Sequence, residues 1–111
     1  MTKRKRAYPR IVTQAASLLG SEIRQARIDR RWTVRELAER AGISPHTLLR
    51  VEKGDPGVSL GVAFDVANLV GVPLFYEEPQ RLSAELERSR ERARLLPRRV
   101  RQRPAEFDDE F

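Results

Sequence analysis

Apolar residues recur at helical spacing along most of the chain. Leu18, Leu19, Ile23, Ala26 and Arg27 fall on one face of a helix predicted from Thr13 to Arg30, with Gly20 weakening its middle. A second helix turns Leu37, Ala38 and Ala41 inward and leaves Arg35, Glu39 and Arg40 outside. A third buries Leu48 and Val51. Its outward residues, Pro45, His46, Leu49, Arg50 and Lys53, make a polar and basic face with one apolar residue inside it. The fourth helix, from Ser59 to about Val70, has two apolar stripes: Leu60, Ala63, Phe64, Ala67 and Val70 on one side, Val62, Val66 and Leu69 on another. A helix apolar nearly all round is buried on both sides. A domain this small cannot do that alone, so a subunit interface is expected here, formed by Val62, Val66, Leu69, Leu74, Phe75 and Tyr76.

The ends of these helices are marked by their own chemistry. Thr33 and Glu36 have the spacing of a capping box, and Trp32 just before them can staple onto Leu37. Gly42 stands where a helix stops in a left-handed residue. Ser44 and Pro45 start the next helix at once, with Ile43 able to staple onto Leu48, and Gly54 closes it. Gly54-Asp55-Pro56-Gly57 reads as a turn, and Gly71 ends the fourth helix. Two capped helices across so short a connection predict a helix-turn-helix, whose second helix can lie in the DNA major groove.

The flanks differ in character. Residues 1–12 form a basic arm with Lys3, Arg4, Lys5, Arg6 and Arg10 and no acid, either a solvated tail or an arm that follows phosphates or enters the minor groove. Residues 13–78 hold the four helices and the expected interface. In residues 79–97 a charged helix is predicted from Gln80 to Leu96, with Arg81–Glu85, Glu85–Arg88 and Glu91–Arg94 at supporting spacings. Its narrow seam, Leu82, Leu86, Ala93 and Leu96, is broken by Ser89, which argues against a strong coiled coil, and Pro97 ends it. Residues 98–111 run from arginines (Arg98, Arg99, Arg101, Arg103) to acids (Glu106, Asp108, Asp109, Glu110), with Phe107 and Phe111 interspersed. That tail is either disordered or a linear motif that folds onto a basic, apolar-lined groove of another protein.

Composition narrows the function classes. The chain has 111 residues, no cysteine, one histidine and a formal net charge of +6. One small domain with tails is expected, with no disulfide framework, no cofactor and no metal. Metal and nucleophile–base constellations lack parts, and the Gly54–Gly57 turn lacks the lysine spacing of a phosphate loop, so an enzyme is not expected. No apolar run reaches the ~20 residues of a membrane span, and no signal-peptide core follows the basic start, so a cytoplasmic protein with no membrane partner is expected. The positive charge favours an anionic partner, and the scarcity of aromatics argues against base stacking on RNA.

The set TVRELAERAGIS, the ending RVEKG and the following SLGVAFDVANLVGVPL resemble the Xre/Cro-repressor family of helix-turn-helix proteins, over roughly Leu19 to Phe75. The resemblance implies an all-α fold, a five-helix Xre/Cro-type DNA-binding domain with an additional C-terminal helix and flexible tails. It places base contacts at Pro45, His46, Thr47 and Arg50. Arg50 can hold guanine O6 and N7 with two donors, and His46 can donate to or accept from a base edge. Thr47 either caps inward or reaches a phosphate. Leu49 either meets a thymine methyl or is simply exposed. Phosphate contacts are expected from Arg35, Lys53, the basic arm and the N-terminal amides of the second and third helices. Many family members carry glutamine at the positions of Val34 and Pro45, so readout here should rest on His46 and Arg50. The family pattern also implies a structural ion pair between Arg27 and Glu52.

The charged helix, the RRVRQR run and the acidic, phenylalanine-bearing end are together similar to HipB-like antitoxins, which implies a HipA-type serine/threonine kinase toxin as partner. Leu82, Leu86, Phe107 and Phe111 are the candidate toxin contacts. Two other expectations stand beside it. One is a stand-alone repressor, a homodimer on a palindromic operator; the other is a protein-binding adaptor that has lost specific DNA readout.

Overall fold

The computed structural model describes residues 6–100 and 102. Lys3, Arg4, Lys5, Phe107 and Phe111, and the flexible tails expected around them, lie outside the described residues. Among the described residues there are five helices, α1 (Arg10–Asp29), α2 (Val34–Ala41), α3 (Pro45–Glu52), α4 (Leu60–Leu69) and α5 (Pro79–Arg94). The chain divides into two compact units, Met1–Glu77 and Glu78–Phe111.

In the first unit, α1 and α2 pack on α3, and α4 closes against both α1 and α2. The core is Ile23, Leu37, Ala38, Leu48, Val51, Val66, Ala67, Val70 and Val72. Each fully buried Leu, Ile or Val among them contributes about 1.5–3 kcal/mol relative to an exposed position.

Four left-handed residues end α1, α2, α3 and α4 by one device. Gly42, Gly54 and Gly71 have φ of 68°, 79° and 79°, and Arg31 has φ of 60°. At each, two amides turn back onto the last carbonyls: Ile43 to Ala38 and Gly42 to Glu39, Asp55 to Arg50 and Gly54 to Val51, Val72 to Ala67 and Gly71 to Asn68, Trp32 to Arg27 and Arg31 to Ile28. These are the closing bonds of a Schellman motif, which satisfy carbonyls the helix leaves without partners. At Arg31 the same turn is made without glycine, a conformation that costs an L-residue energy.

Several helical faces differ from those the spacing predicted. α1 begins at Arg10, earlier than Thr13, and runs unbroken through Gly20. Gly20 is buried where α1 crosses the end of α3: a Cβ there would stand 2.4 Å from the Val51 carbonyl oxygen and 2.6 Å from that of Glu52. Its missing side chain sets the closeness of that crossing. Leu18 is 63% exposed, and the inner face of α1 is carried by Leu19, Gly20, Ile23, Ala26 and Arg27. Val66 and Ala67 of α4, and Val70 just after it, point inward while Leu60 is 67% exposed. One domain thus buries parts of both predicted stripes.

The second unit holds α5. Glu78 precedes Pro79 at the first helical position, Arg92 and Arg94 lie in the last turn where cations favour the helix dipole, and no residue of the helix is buried. Glu85 pairs with Arg88 at 3.2 Å, and Glu91 pairs with Arg94.

Candidate nucleic-acid interface

The candidate interface is built on α2, the Gly42-Ile43-Ser44 connection and α3. Each helix start is fixed by side chains. Thr33 Oγ1 accepts from the Glu36 amide and Glu36 accepts from the Thr33 amide, both at 3.0 Å, completing the capping box. The hydrogen bond from the Thr33 amide, with the Thr33 hydroxyl beside it, holds the Glu36 carboxyl below its ordinary range. Ser44 Oγ accepts from the Thr47 amide at 3.1 Å and donates to Thr47 Oγ1 at 3.0 Å. Thr47 therefore uses its hydroxyl at the helix start. The amides of Glu36 and Thr47, among those expected to meet phosphates, are already engaged by these caps.

α3 is tethered from within. Leu48 and Val51 are buried, and Glu52 accepts two bonds from Arg27 of α1, Nε to Oε2 at 2.7 Å and Nη2 to Oε1 at 3.1 Å. Arg27 Nη1 also donates to the Trp32 carbonyl at 2.9 Å. One guanidinium thus ties together α1, the α1–α2 connection and the end of α3. Bonding to Glu52 pushes the Arg27 guanidinium further above its already high value; burial opposes this and the Glu52 charge adds to it. On the outside, Trp32 lies under the guanidinium of Arg40, 4.2 Å from the ring centre, with Arg30 at 5.8 Å.

With the inner face so held, α3 presents Pro45, His46 and Leu49 to solvent, Leu49 at 41% exposure. Lys53 at its end and Arg35 on α2 are exposed as well. Val34 is half-buried against the core and offers no groove-facing group. Arg6 is exposed, its guanidinium 5.4 Å from the centre of the Tyr8 ring.

Arg50 is different. Its Nε donates to Asp55 Oδ2 at 2.7 Å, and Asp55 Oδ1 accepts from the Gly57 amide at 2.8 Å. Asp55 was legible only as part of a turn. Asp followed by Pro-Gly is a pattern in which the carboxylate bonds the backbone two residues on. That sign, five residues beyond Arg50, is the one that could have found it.

The residues expected at a subunit interface are divided by the fold. Val66 is fully buried in the domain's own core and has no surface to give a second chain. The reason is that α4 leans on α2 and α1 through that stripe. Val62, Leu69 and Leu74 are half-buried against the same core, and Tyr76 is half-buried. Phe75 is 79% exposed at φ 70°, in a tight turn where the Tyr76 amide donates to the Leu74 carbonyl at 2.8 Å. Its ring meets Phe64 edge-on, with centroids 6.1 Å apart. In the second unit, Leu82 and Leu86 are exposed on α5.

Among the described residues no helix is long and apolar enough to cross a membrane, and no three His, Cys, Asp or Glu side chains gather where a metal ion could be held. Searches of curated proteins and of solved structures returned no match. A family model described as a helix-turn-helix domain matches residues 18–74, which span α2, α3 and α4 and most of α1. With half of the chain matched and two capped helices meeting across a three-residue connection, this chain belongs to the helix-turn-helix domain family.

Proposed function

We propose that this chain is a sequence-specific DNA-binding repressor of the Xre/Cro type that works as a homodimer in the cytoplasm. The observation that carries the reading is the outward face of α3, polar and basic, on a helix whose inner face is anchored by Leu48, Val51 and the Arg27–Glu52 pair. His46 and Arg50 read base edges, with Pro45, Thr47 and Leu49 beside them. Arg35, Lys53 and the basic arm (Lys3, Arg4, Lys5, Arg6) meet phosphates. The dimer forms through Phe75 and Tyr76 with Val62, Leu69 and Leu74, and places two α3 helices about one turn of DNA apart, ~34 Å.

Within this reading the chain is the antitoxin of a HipA-like kinase and represses its own operon. The support is the similarity of the charged helix and of the basic-then-acidic end to HipB-like antitoxins. Leu82 and Leu86 of α5, with Phe107 and Phe111, are the proposed toxin contacts. Mobility-shift titration against the chain's own upstream DNA over a range of salt tests DNA binding. A preferred site with a steep salt dependence is expected, whereas salt-dependent binding with no preferred sequence would leave an adaptor. Co-expression with the adjacent open reading frame, followed by the mass of what elutes from a tag on this chain, tests the toxin. A stoichiometric complex is expected; a lone dimer that still binds its DNA would leave a stand-alone repressor.

A further inference from the structure

We infer that Asp55 is a specificity-determining residue: it positions Arg50 so that the guanidinium meets a base with its two terminal nitrogens. The inference rests on the reading of α3 as a recognition helix. Arg50 and Asp55 are joined twice, by the Asp55 amide to the Arg50 carbonyl at 3.0 Å and by Arg50 Nε to Asp55 Oδ2 at 2.7 Å. Asp55 is itself not free to swing. Its other oxygen accepts from the Gly57 amide, and its neighbour Gly54 is locked onto α1, where a Cβ would stand 2.5 Å from Ser17 Cα. The turn is tight around the pair as well. A Cβ on Gly57 would lie 3.1 Å from Asp55 Oδ1 and 3.7 Å from Arg50 Nη2.

An arginine can grip guanine side-on, through Nε and one terminal nitrogen, or end-on through both terminal nitrogens. Here Nε is taken by Asp55, and Nη1 and Nη2 make no hydrogen bond among the described residues. Only the end-on grip remains. The part-exposed ion pair biases a long side chain that otherwise wanders among rotamers, so less freedom is lost when it binds. The geometry also makes Asp55 a filter. A carboxylate at the edge of a polyanion site weakens binding to any DNA, so it favours the sequence that repays it through Arg50.

The test is selection from a randomised duplex library with the full-length wild type, Asp55→Asn, Asp55→Glu and Arg50→Ala. For each, affinity for the selected site and for a non-specific duplex is measured at one salt concentration, and thermal melting is recorded. Asparagine still accepts from the Gly57 amide, so the turn persists while the charge that aligns Arg50 is lost. Expected for Asp55→Asn is tighter non-specific binding together with a specific-to-non-specific ratio lower by about tenfold, the worth of a good bidentate base contact. The loss should fall at the same base pair that Arg50→Ala loses. Asp55→Glu keeps the charge and displaces it, and should lower the ratio too. A wild-type ratio in Asp55→Glu would overturn the positioning role. An unchanged motif and ratio in Asp55→Asn would overturn the proposal while leaving the DNA reading intact. A wild type that selects no sequence would overturn both.

Discussion

Removing Glu52 isolates the device that holds α3. In Glu52→Ala the Arg27 guanidinium keeps one bond, to the Trp32 carbonyl, and loses both carboxylate contacts. The side chains of the pair are only 10% and 4% exposed, so water cannot replace what is lost without opening the α1–α3 contact. Breaking one member of a buried pair costs about 3–5 kcal/mol, because a charge is left buried without its partner. For a small domain, 1 kcal/mol moves Tm by about 4–8 °C, so Tm should fall by roughly 12 °C or more. The assay is thermal and urea unfolding of the wild type, Glu52→Ala, Arg27→Met and the double variant, with DNA affinity measured where each is folded. The double variant should recover part of the loss, since no lone charge remains. A Glu52→Ala protein that melts with the wild type yet binds DNA poorly would refute the structural role and move Glu52 into recognition.

Three further outcomes follow from single positions. Gly20→Ala should destabilise by about 1–3 kcal/mol in urea unfolding, because the new Cβ meets backbone oxygens of Val51 and Glu52 that cannot turn away. Arg31→Gly should stabilise by ~0.5 kcal/mol in the same assay: relief of the left-handed strain exceeds the entropy that glycine adds to the unfolded chain. Glu36 has a folded value below its ordinary one, so its contribution is present above the ordinary glutamate range and is lost as pH falls through the depressed value. Glu36→Gln should keep the capping box at neutral pH and flatten the acid limb of a Tm-against-pH profile, whereas Glu36→Ala should lower Tm at neutral pH as well.

The capping residues and stop residues were legible because they act over a few positions. Thr33 with Glu36, Ser44 with Thr47, and Gly42, Gly54 and Gly71 each complete bonds with neighbours at most five residues away. The helix-turn-helix follows from that local chemistry, while α1 and α5, which start without a side-chain cap, were legible from the spacing of their apolar and charged residues. The Arg27–Glu52 contact, 25 residues apart, was available only through resemblance to a family.

Tertiary structure decided the rest, wherever one stretch had more than one admissible face. Periodicity around α4 offered two apolar stripes and no means to rank them; the lean of α4 on α2 and α1 buries Val66, Ala67 and Val70 and leaves Leu60 outside. Gly20 read as a weakness in one helix, and only the crossing with α3 makes it a requirement. Arg50 read as a free donor on the recognition face, and only the fold of the following turn brings Asp55 against its Nε. Helix positions and ends are set by bonds within a few residues. Which face lies inside, and which cation is already held, are set by where distant backbone comes to rest.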